Sequence, residues 1–407
     1  MLAHSPPLPL VIDYFDPRRN ITAEDEEGII LILAQSERVL RVRLRMPVPI
    51  LQKLIMVIDE QYPVLEYLIM MPPPGQETAA LTFPETFQAS HLRHLVLVGF
   101  AFSIRSRLLT TAVGMVTLCL SMENPSAYSG PNTLHRWISS MPQLETLIFA
   151  IKYPVPNRDV ERQLMHTPIT THVTLPNLRW FSFRGPSNYM EAVLYRITTP
   201  RLEKINTVFF EQLTYSVPRL LQFMGAAENL RFKSVRIEFN KNDVHVEVYP
   251  TEENKLYAFL MVVHSWHLDW QVSSVAQVFN QLSQILSTVE HLTLKYEVHS
   301  LSSEEHNEVD RTEWHKFLKS FSNVKTLRVD DGLVKELSHS LRSDDGERAL
   351  DLLPELQELQ ELTYSASGDR NTGHPFIPFV NARKGAGRPV TLTRRRMKSS
   401  APSTKND

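Results

Sequence analysis

A short apolar motif recurs along this chain and constrains its fold more than any other feature of the sequence. The stretch LPNLRWFSF has apolar side chains at Leu178, Phe181 and Phe183, and the stretch MPQLETLIF repeats that spacing from Leu144 onward. The two copies lie 34 residues apart (144 to 178) and share the form φ-x-x-φ-x-φ, with φ apolar. The alternation at the end of each motif predicts a short strand. An internal repeat of this kind decides the architecture before any other signal.

The motif begins at 12 positions along the chain: Val39, Leu65, Leu92, Met115, Leu144, Leu178, Leu202, Phe232, Tyr257, Val289, Val324 and Leu359. The 11 intervals from 39 to 359 cover 320 residues, which gives a mean period of about 29, with single steps of 23 to 35. This period lies near the upper end of leucine-rich repeats. We therefore predict an α/β fold, an irregular leucine-rich-repeat solenoid (horseshoe) of alternating short parallel strands and helices. An ordinary α/β protein is the alternative, because one alternating strand resembles another.

The material between the motifs has helical periodicity. Trp314, Phe317, Leu318 and Phe321, for example, follow the i, i+3, i+4 spacing of one helix face. Candidate N-cap hydroxyls precede several such segments: Thr133, Ser216, Ser274 and Thr312. Four motifs are entered from a proline: Pro142, Pro176, Pro200 and Pro354. Since proline lacks the N–H that a continuing helix needs, each of them predicts the end of a helix and the start of the next strand.

The repeats divide the chain into three parts. Residues 39–365 form the predicted solenoid, and residues 1–38 form an N-terminal segment with a proline-rich start and the acidic run Glu24 to Glu27. Residues 366–407 are polar, glycine-rich and basic, and we predict a mostly disordered tail there. Arg394, Arg395, Arg396 and Lys398 in this tail are a candidate nuclear signal.

Composition narrows the class of protein. The net charge of −2 predicts no general affinity for nucleic acid or for an anionic membrane. The longest apolar run, Ile29 to Ala34, is far shorter than the ~20 residues that span a bilayer. A single cysteine excludes an intramolecular disulfide and favours a reducing compartment. We therefore expect a cytoplasmic or nuclear location, without a membrane or a specific nucleic acid as partner.

The sequence offers little that could carry catalysis. His264, His267 and Asp269 lie close together in HSWHLDW, but strand-like alternation there would send the two histidines to opposite faces, so we expect no metal site. Cys119 lies in a strand motif without a basic neighbour, which favours an inert thiol over a nucleophile. Glycine is scarce, at 13 of 407 residues, which disfavours phosphate-binding loops. We expect neither an enzyme nor a cofactor.

In a solenoid, binding residues are expected on the concave strand face. The fourth and sixth motif positions point into the stack, so the odd positions after the first point to the other face and pave a continuous sheet. In this register the candidate binding residues are Trp180, Arg184, Lys204, His291, Lys295, Arg328 and Asp330. An aromatic side chain with cations beside it is typical of the residues that dominate protein interfaces. The alternative for Trp180 is that a neighbouring loop covers it and it packs as core.

Several stretches resemble a known family. LPNLRWFSFRG with YMEAVLYRITTPRLEKI, HLDWQVSSVAQVFNQLS, and WHKFLKSFSNVKTLRVDDGLVKELS are similar to the leucine-rich part of the large F-box-like family of mushroom-forming fungi. The resemblance extends roughly from Pro7 to Thr393. In that family an N-terminal F-box docks on a Skp-type adaptor, and the repeats present a substrate to a cullin ubiquitin ligase. The stretch PLPLVIDYF resembles the segment that follows the F-box, so we expect a member whose F-box is missing.

The resemblance implies a non-enzymatic interaction module, the substrate-recognition repeat region of an F-box-type ubiquitin ligase receptor. The protein target of such a module cannot be identified from a single sequence. A Skp-type adaptor is an expected partner only if an F-box or a cryptic docking surface exists. The alternative is a free-standing leucine-rich-repeat scaffold or a truncated decoy without a link to ubiquitin.

Overall fold

A computed structural model gives the fold of the chain. It describes residues 8–16, 21–58, 61–74, 81–103, 105–122, 129–151, 172–210, 212–227, 229–254, 256–297, 311–341, 351–363 and 374–396. The chain divides into two compact units. Unit 1 holds Met1–Asn206 and Gln222–Asn229, and unit 2 holds Thr207–Leu221 and Leu230–Asp407.

Unit 1 alternates strands with helices. Its strands are β1 (Leu10–Tyr14), β2 (Val39–Arg45), β3 (Tyr67–Met71), β4 (Leu81–Thr82), β5 (His94–Val98), β6 (Phe100–Ala101), β7 (Thr117–Met122), β8 (Thr146–Ile151), β9 (Val173–Thr174), β10 (Trp180–Gly185) and β11 (Ile197–Thr198). Its helices are α1 (Ala23–Leu33), α2 (Val48–Val57), α3 (Arg107–Thr111), α4 (Pro131–Ser139) and α5 (Ser187–Leu194). Residues of both units occur in β12 (Lys204–Phe209) and α6 (Pro218–Gly225).

The main sheet of unit 1 is built from neighbouring repeats. Its strand order is β1-β2-β3-β5-β7-β8-β10, with β12 after β10, and neighbours from β1 to β10 are parallel. Two further parallel pairs, β4 with β6 and β9 with β11, lie outside it. Each step along the main sheet is a strand followed by a crossover, the connection that parallel strands require. The predicted α/β fold with parallel strands is confirmed.

The apolar positions of each motif form the core. Leu178, Phe181 and Phe183 are buried, while the alternate side chains of β10 are half-buried or exposed. The helix between two motifs buries its own apolar stripe, as Leu134 and Trp137 do in α4. Strand and helix periodicities therefore converge on one buried layer, and burial of a side chain of this size stabilises the fold by about 1.5–3 kcal/mol.

The strands of successive repeats begin in the same way, with two main-chain N–H groups that donate to one carbonyl oxygen beside the neighbouring strand. The N–H groups of Glu145 and Thr146 both donate to the carbonyl oxygen of Val116, at 2.9 and 3.0 Å. In the next repeat the N–H groups of Arg179 and Trp180 donate to the carbonyl oxygen of Glu145, at 2.9 and 3.1 Å. The same pair of bonds starts β5, β7 and β12, and it recurs three times in unit 2. This bonding aligns one strand start with the next.

Unit 2 contains a second run of strands and helices. Its strands are β13 (Ser234–Phe239), β14 (Asp243–Tyr249), β15 (Phe259–His264), β16 (His291–Tyr296), β17 (Thr326–Asp330), β18 (Glu358–Thr363) and β19 (Thr391–Arg396). Its helices are α7 (Leu268–Leu286), α8 (Arg311–Lys319), α9 (Asp331–Ser340) and α10 (Ile377–Gly385). The strand order is β15-β14-β13-β16-β17-β18-β19. From β13 through β16 to β19 all neighbours are parallel.

The prediction of parallel repeats is wrong at β14 and β15. The motif at Tyr257 becomes β15, which pairs antiparallel with β14, and β14 pairs antiparallel with β13. Residues 240–242 alone join β13 to β14, and a link of this length permits a hairpin but not a parallel crossover. The N–H of Asn240 donates to the carbonyl oxygen of Asp243 at 2.8 Å and closes that turn.

The predicted disordered tail is wrong for residues 374–396. Helix α10 buries Phe379 and Arg383, Phe376 is buried directly before it, and β19 pairs in parallel with β18. A helix of 9 residues has too few turns for its apolar spacing to stand out in the sequence. Residues 366–373 and 397–407 of the predicted tail lie outside the described residues.

The predicted N-caps are also wrong, because Ser216 lies two residues before the first residue of α6 and the other three lie inside helices. Thr133 and Ser274 lie inside α4 and α7, which begin after Gly130 and His267, and Thr312 lies inside α8. In α4 the first position is Pro131, where a missing N–H costs nothing.

Candidate functional site

A row of side chains crosses the main sheet of unit 1 on its half-exposed face. We call it the ladder, and it takes the first residue of six strands and one residue from the interior of β2: Arg41, Tyr67, His94, Thr117, Thr146, Trp180 and Lys204. From Arg41 to Trp180 the strand register places each residue directly opposite the next. Because directly opposed side chains lie within contact distance, the row forms one surface.

One half of the ladder is a stack of flat groups. The guanidinium carbon of Arg41 lies 4.2 Å from the ring centre of Tyr67. The rings of Tyr67 and His94 are nearly parallel, at 9°, with 4.4 Å between their centres. His94 Nδ1 lies 3.1 Å from Thr117 Oγ1, so the stack ends in a hydrogen bond. Cation–π and ring contacts of this kind are attractive and hold these side chains in one arrangement.

The other half of the ladder centres on Trp180. The indole is half-buried on β10, and Lys204 Nζ lies 5.1 Å from its ring centre. Trp180 Nε1 is buried and, within the described part of the chain, has no hydrogen-bond acceptor. Arg184 lies four residues further along β10 and is exposed. An aromatic side chain with one cation over its ring and another beyond it therefore faces outward.

The environment of His94 favours its neutral form. Burial lowers the pKa of His94, and the positive charge of Arg93 lowers it further, while Glu66 acts in the opposite direction. A neutral imidazole has one donor and one acceptor nitrogen, which suits both the ring stack and the bond with Thr117.

Unit 2 has a charged cluster formed by two strand residues and one turn residue. Arg328 Nη1 lies 2.5 Å from one carboxylate oxygen of Glu252, and His291 Nε2 lies 3.6 Å from the other. Burial alone would raise the pKa of Glu252, but the hydrogen bond and charge of Arg328 outweigh it, so the pKa is lowered. Arg328 Nε also donates to Gln360 Oε1 at 3.0 Å. The carboxylate of Glu252 thus engages the histidine and the arginine together.

The two other predicted residues of unit 2 differ in exposure. Lys295 is half-buried in β16, opposite Glu238 of β13. Asp330 is only 4% exposed, and its Oδ1 accepts from the N–H of Gly332 at 3.2 Å as the N-cap of α9. The structure therefore places Asp330 at a helix start and not on a binding surface.

A second histidine cluster lies at the start of β14. His245 Nε2 lies 3.1 Å from Asp243 Oδ1, and His264 Nδ1 lies 3.9 Å from Asp243 Oδ2. The hydrogen bond with Asp243 raises the pKa of His245 against the effect of burial. The same bond lowers the pKa of Asp243. HSWHLDW is not one strand, because His264 ends β15 and His267 is the N-cap residue of α7.

Metal and thiol chemistry find little support in the described residues. Those ranges contain no group of three or more His, Cys, Asp or Glu side chains that could hold a metal ion. Cys119 lies half-buried in β7, and burial raises the pKa of its thiol to about 11. At neutral pH the thiol is protonated and a poor nucleophile.

Arg41 and Tyr67 are functional candidates that the sequence analysis did not name. Both occupy the third motif position, the one that also selects Trp180 and Lys204, so the motif register alone would have found them. Glu252 gives no such signal because it lies in a turn after β14, outside every motif.

The chain was compared with family models, curated proteins and solved structures. No family model matches the sequence, and no curated protein matches it. One solved structure that matches is a crystal structure of a TLR13–ssRNA13 complex, with 11% sequence identity and a TM-score of 0.23. The match covers 79% of this chain and 47% of that one, so this chain spans about half of its length. At this TM-score the likeness carries no argument. Every helix within the described residues is too short or too polar to cross a membrane.

Proposed function

We propose that the chain is a non-enzymatic protein-interaction module built on an irregular leucine-rich-repeat solenoid. The ladder carries this proposal, because it brings one side chain from each of seven strands to one face of unit 1. Parallel strands with shared starting carbonyls, separated by helices at a period of about 29 residues, support the solenoid. A module of this kind needs no cofactor, and we propose a cytoplasmic or nuclear location for it.

The chemistry of the ladder defines the partner that would suit it. Trp180 offers a flat apolar surface, and Arg41, Lys204 and Arg184 surround the row with positive charge. A protein surface with an apolar or aromatic side chain flanked by carboxylates would complement both features. Tryptophan and arginine are enriched among residues whose truncation costs at least about 2 kcal/mol of binding.

The test is capture of partners from cells of the source organism with the full chain and three variants. Trp180→Ala removes the apolar surface, and Arg184→Glu reverses an exposed charge at low risk to folding. Met56→Ala is the control, since Met56 is 80% exposed in α2, away from the ladder. A partner bound through the ladder should bind the first two variants at least about 30-fold more weakly and the control equally. Equal capture by all three variants would contradict the proposal.

We further propose, on the family resemblance, that this module recognises substrates for an F-box-type ubiquitin ligase. The alternative is a free-standing scaffold or decoy without that link. The same capture experiment separates them by mass spectrometry of the Skp-type adaptor and the cullin. Adaptor in stoichiometric amounts supports the ligase receptor, whereas ladder-dependent partners without adaptor support the scaffold.

A further inference from the structure

A cleft in unit 2 shares no residue with the cluster of Glu252, His291 and Arg328. It opens beyond the carboxyl ends of β13, β15 and β16, which run in one direction, and Asn240, Trp266 and Glu297 line it where these strands end. Ligands of α/β sheets commonly bind in crevices at this edge. The volume of the cleft is about 260 Å³. Typical small-molecule sites have about 300–1,000 Å³, so this cleft suits one side chain with its adjoining main chain.

Two residues that line the cleft have side-chain amide oxygens without a hydrogen-bond donor among the described residues. Gln271 is 1% exposed, and its Nε2 donates to the main-chain oxygens of Asn240 and Ser265 at 2.7 and 2.8 Å. These bonds fix the orientation of the amide, and Gln271 Oε1 is buried without a donor among the described residues. Asn240 Nδ2 donates to a carboxylate oxygen of Asp243, and Asn240 Oδ1 likewise has no donor from the described chain. A buried acceptor without a donor costs about 1–3 kcal/mol.

The same cleft also contains hydrogen-bond donors, the first main-chain N–H groups of a helix. Helix α7, of 19 residues, begins there at Leu268, and His267 provides no side-chain cap to its first N–H groups within the described structure. These groups and the helix dipole attract an acceptor. Lys241 and Glu297 contribute one charge of each sign to the lining. The indole of Trp266, 63% exposed, forms a flat apolar wall.

We propose that this cleft binds a peptide segment of a partner protein through the carboxamide of an asparagine or glutamine side chain. The NH₂ group would donate to Gln271 Oε1 and Asn240 Oδ1, and the carbonyl would accept from the start of α7. A carboxylate would leave both carbonyl acceptors without donors. An ammonium or guanidinium group has no acceptor to offer the first N–H groups of α7. The neutral carboxamide satisfies both halves of the lining, and Trp266 covers its face.

This inference rests on the proposed interaction function but concerns a different surface. The probe is a display library of short linear peptides, selected against the immobilised full chain. We expect selected peptides to share an asparagine or glutamine at one position. Replacing that residue by aspartate or glutamate should weaken binding by at least about tenfold, the effect of one buried hydrogen bond.

Variants of the chain locate the binding and separate the two proposals. Trp266→Ala should weaken the selected peptides about tenfold or more, in line with an aromatic contact of about 1.5 kcal/mol. Trp270→Ala is the matched control, because Trp270 is 53% exposed in the first turn of α7 but does not line this cleft. Arg184→Glu should leave peptide binding unchanged even if it abolishes ladder-dependent capture. A library without binders, a selection for acidic or basic residues instead, or full binding to Trp266→Ala would overturn the inference.

Discussion

Arg383 provides the sharpest test of the unexpected C-terminal segment. Its side chain is 1% exposed and donates to three main-chain carbonyl oxygens, those of Leu353, Pro354 and Leu356, at 3.1–3.2 Å. Burial lowers the pKa of the Arg383 guanidinium, but the group stays protonated at neutral pH. The arginine therefore joins α10 to the turn that precedes β18.

The size of its contribution follows from these contacts. Three hydrogen bonds from a charged donor, at about 1.5 kcal/mol each, are offset by about 2 kcal/mol of side-chain entropy lost on ordering. The remaining 2.5 kcal/mol or so corresponds to roughly a 70-fold change in an opening equilibrium. Arg383→Met should therefore raise the population in which α10 and β19 are detached by about that factor.

Amide hydrogen exchange measures this opening directly. The N–H of Thr391 donates to the carbonyl oxygen of Gln357 at the start of β19, so its exchange rate reports detachment of the strand. We expect exchange at Thr391 to accelerate about 70-fold in Arg383→Met and to stay unchanged in Lys384→Ala, whose side chain is exposed one residue later. Wild-type protection of Thr391 in Arg383→Met would refute the reasoning.

Three further predictions follow from single sites. The bond to Asp243 raises the pKa of His245, so the stability that this bond contributes is fully present below the ordinary histidine pKa and is lost as pH rises through the raised pKa. In Asp243→Asn, an NMR titration should show a lower pKa for His245. An unchanged pKa of His245 would exclude Asp243 as the cause. Cys119, with a thiol pKa of about 11, should react with a thiol reagent at neutral pH only after denaturant is added; rapid labelling of the native chain would contradict this. Gly185 has φ +152°, and an added Cβ would lie 2.9 Å from Phe183 Cζ. Gly185→Ala should therefore destabilise unit 1 by about 1–3 kcal/mol in chemical denaturation. An unchanged denaturation midpoint would show that the ring of Phe183 moves away freely.

The sequence predicted the repeated part of the fold well because that part is locally determined. Alternating apolar residues such as Leu178, Phe181 and Phe183 leave a strand only one face to bury, and the spacing to the next motif requires a crossover. The motif at Tyr257 has the same local pattern, yet it forms an antiparallel strand. The three-residue turn before Asp243 decides that topology, and a motif search does not weigh the turn.

The candidate site was only partly predictable for a related reason. Residues fixed by the motif register, such as Trp180 and Lys204, could be placed on one face without a structure. Asp330 occupies the same register but is withdrawn into a helix cap, because the strand ends there and its carboxylate bonds to Gly332. Glu252 and Gln271 depend on contacts between residues distant in sequence, which no local pattern contains.

The shared starting carbonyl has a consequence for how such a chain can grow. Eight strands start at one carbonyl oxygen, that of the residue directly before the neighbouring strand, so the length of the intervening loop does not enter their alignment. This explains why steps as different as 23 and 35 residues coexist in one chain. A duplicated or deleted segment that begins and ends at this oxygen would change the number of strands and keep every neighbour in place. The ladder could thus be lengthened, shortened or recombined in whole repeats, while its alignment is inherited from one strand to the next.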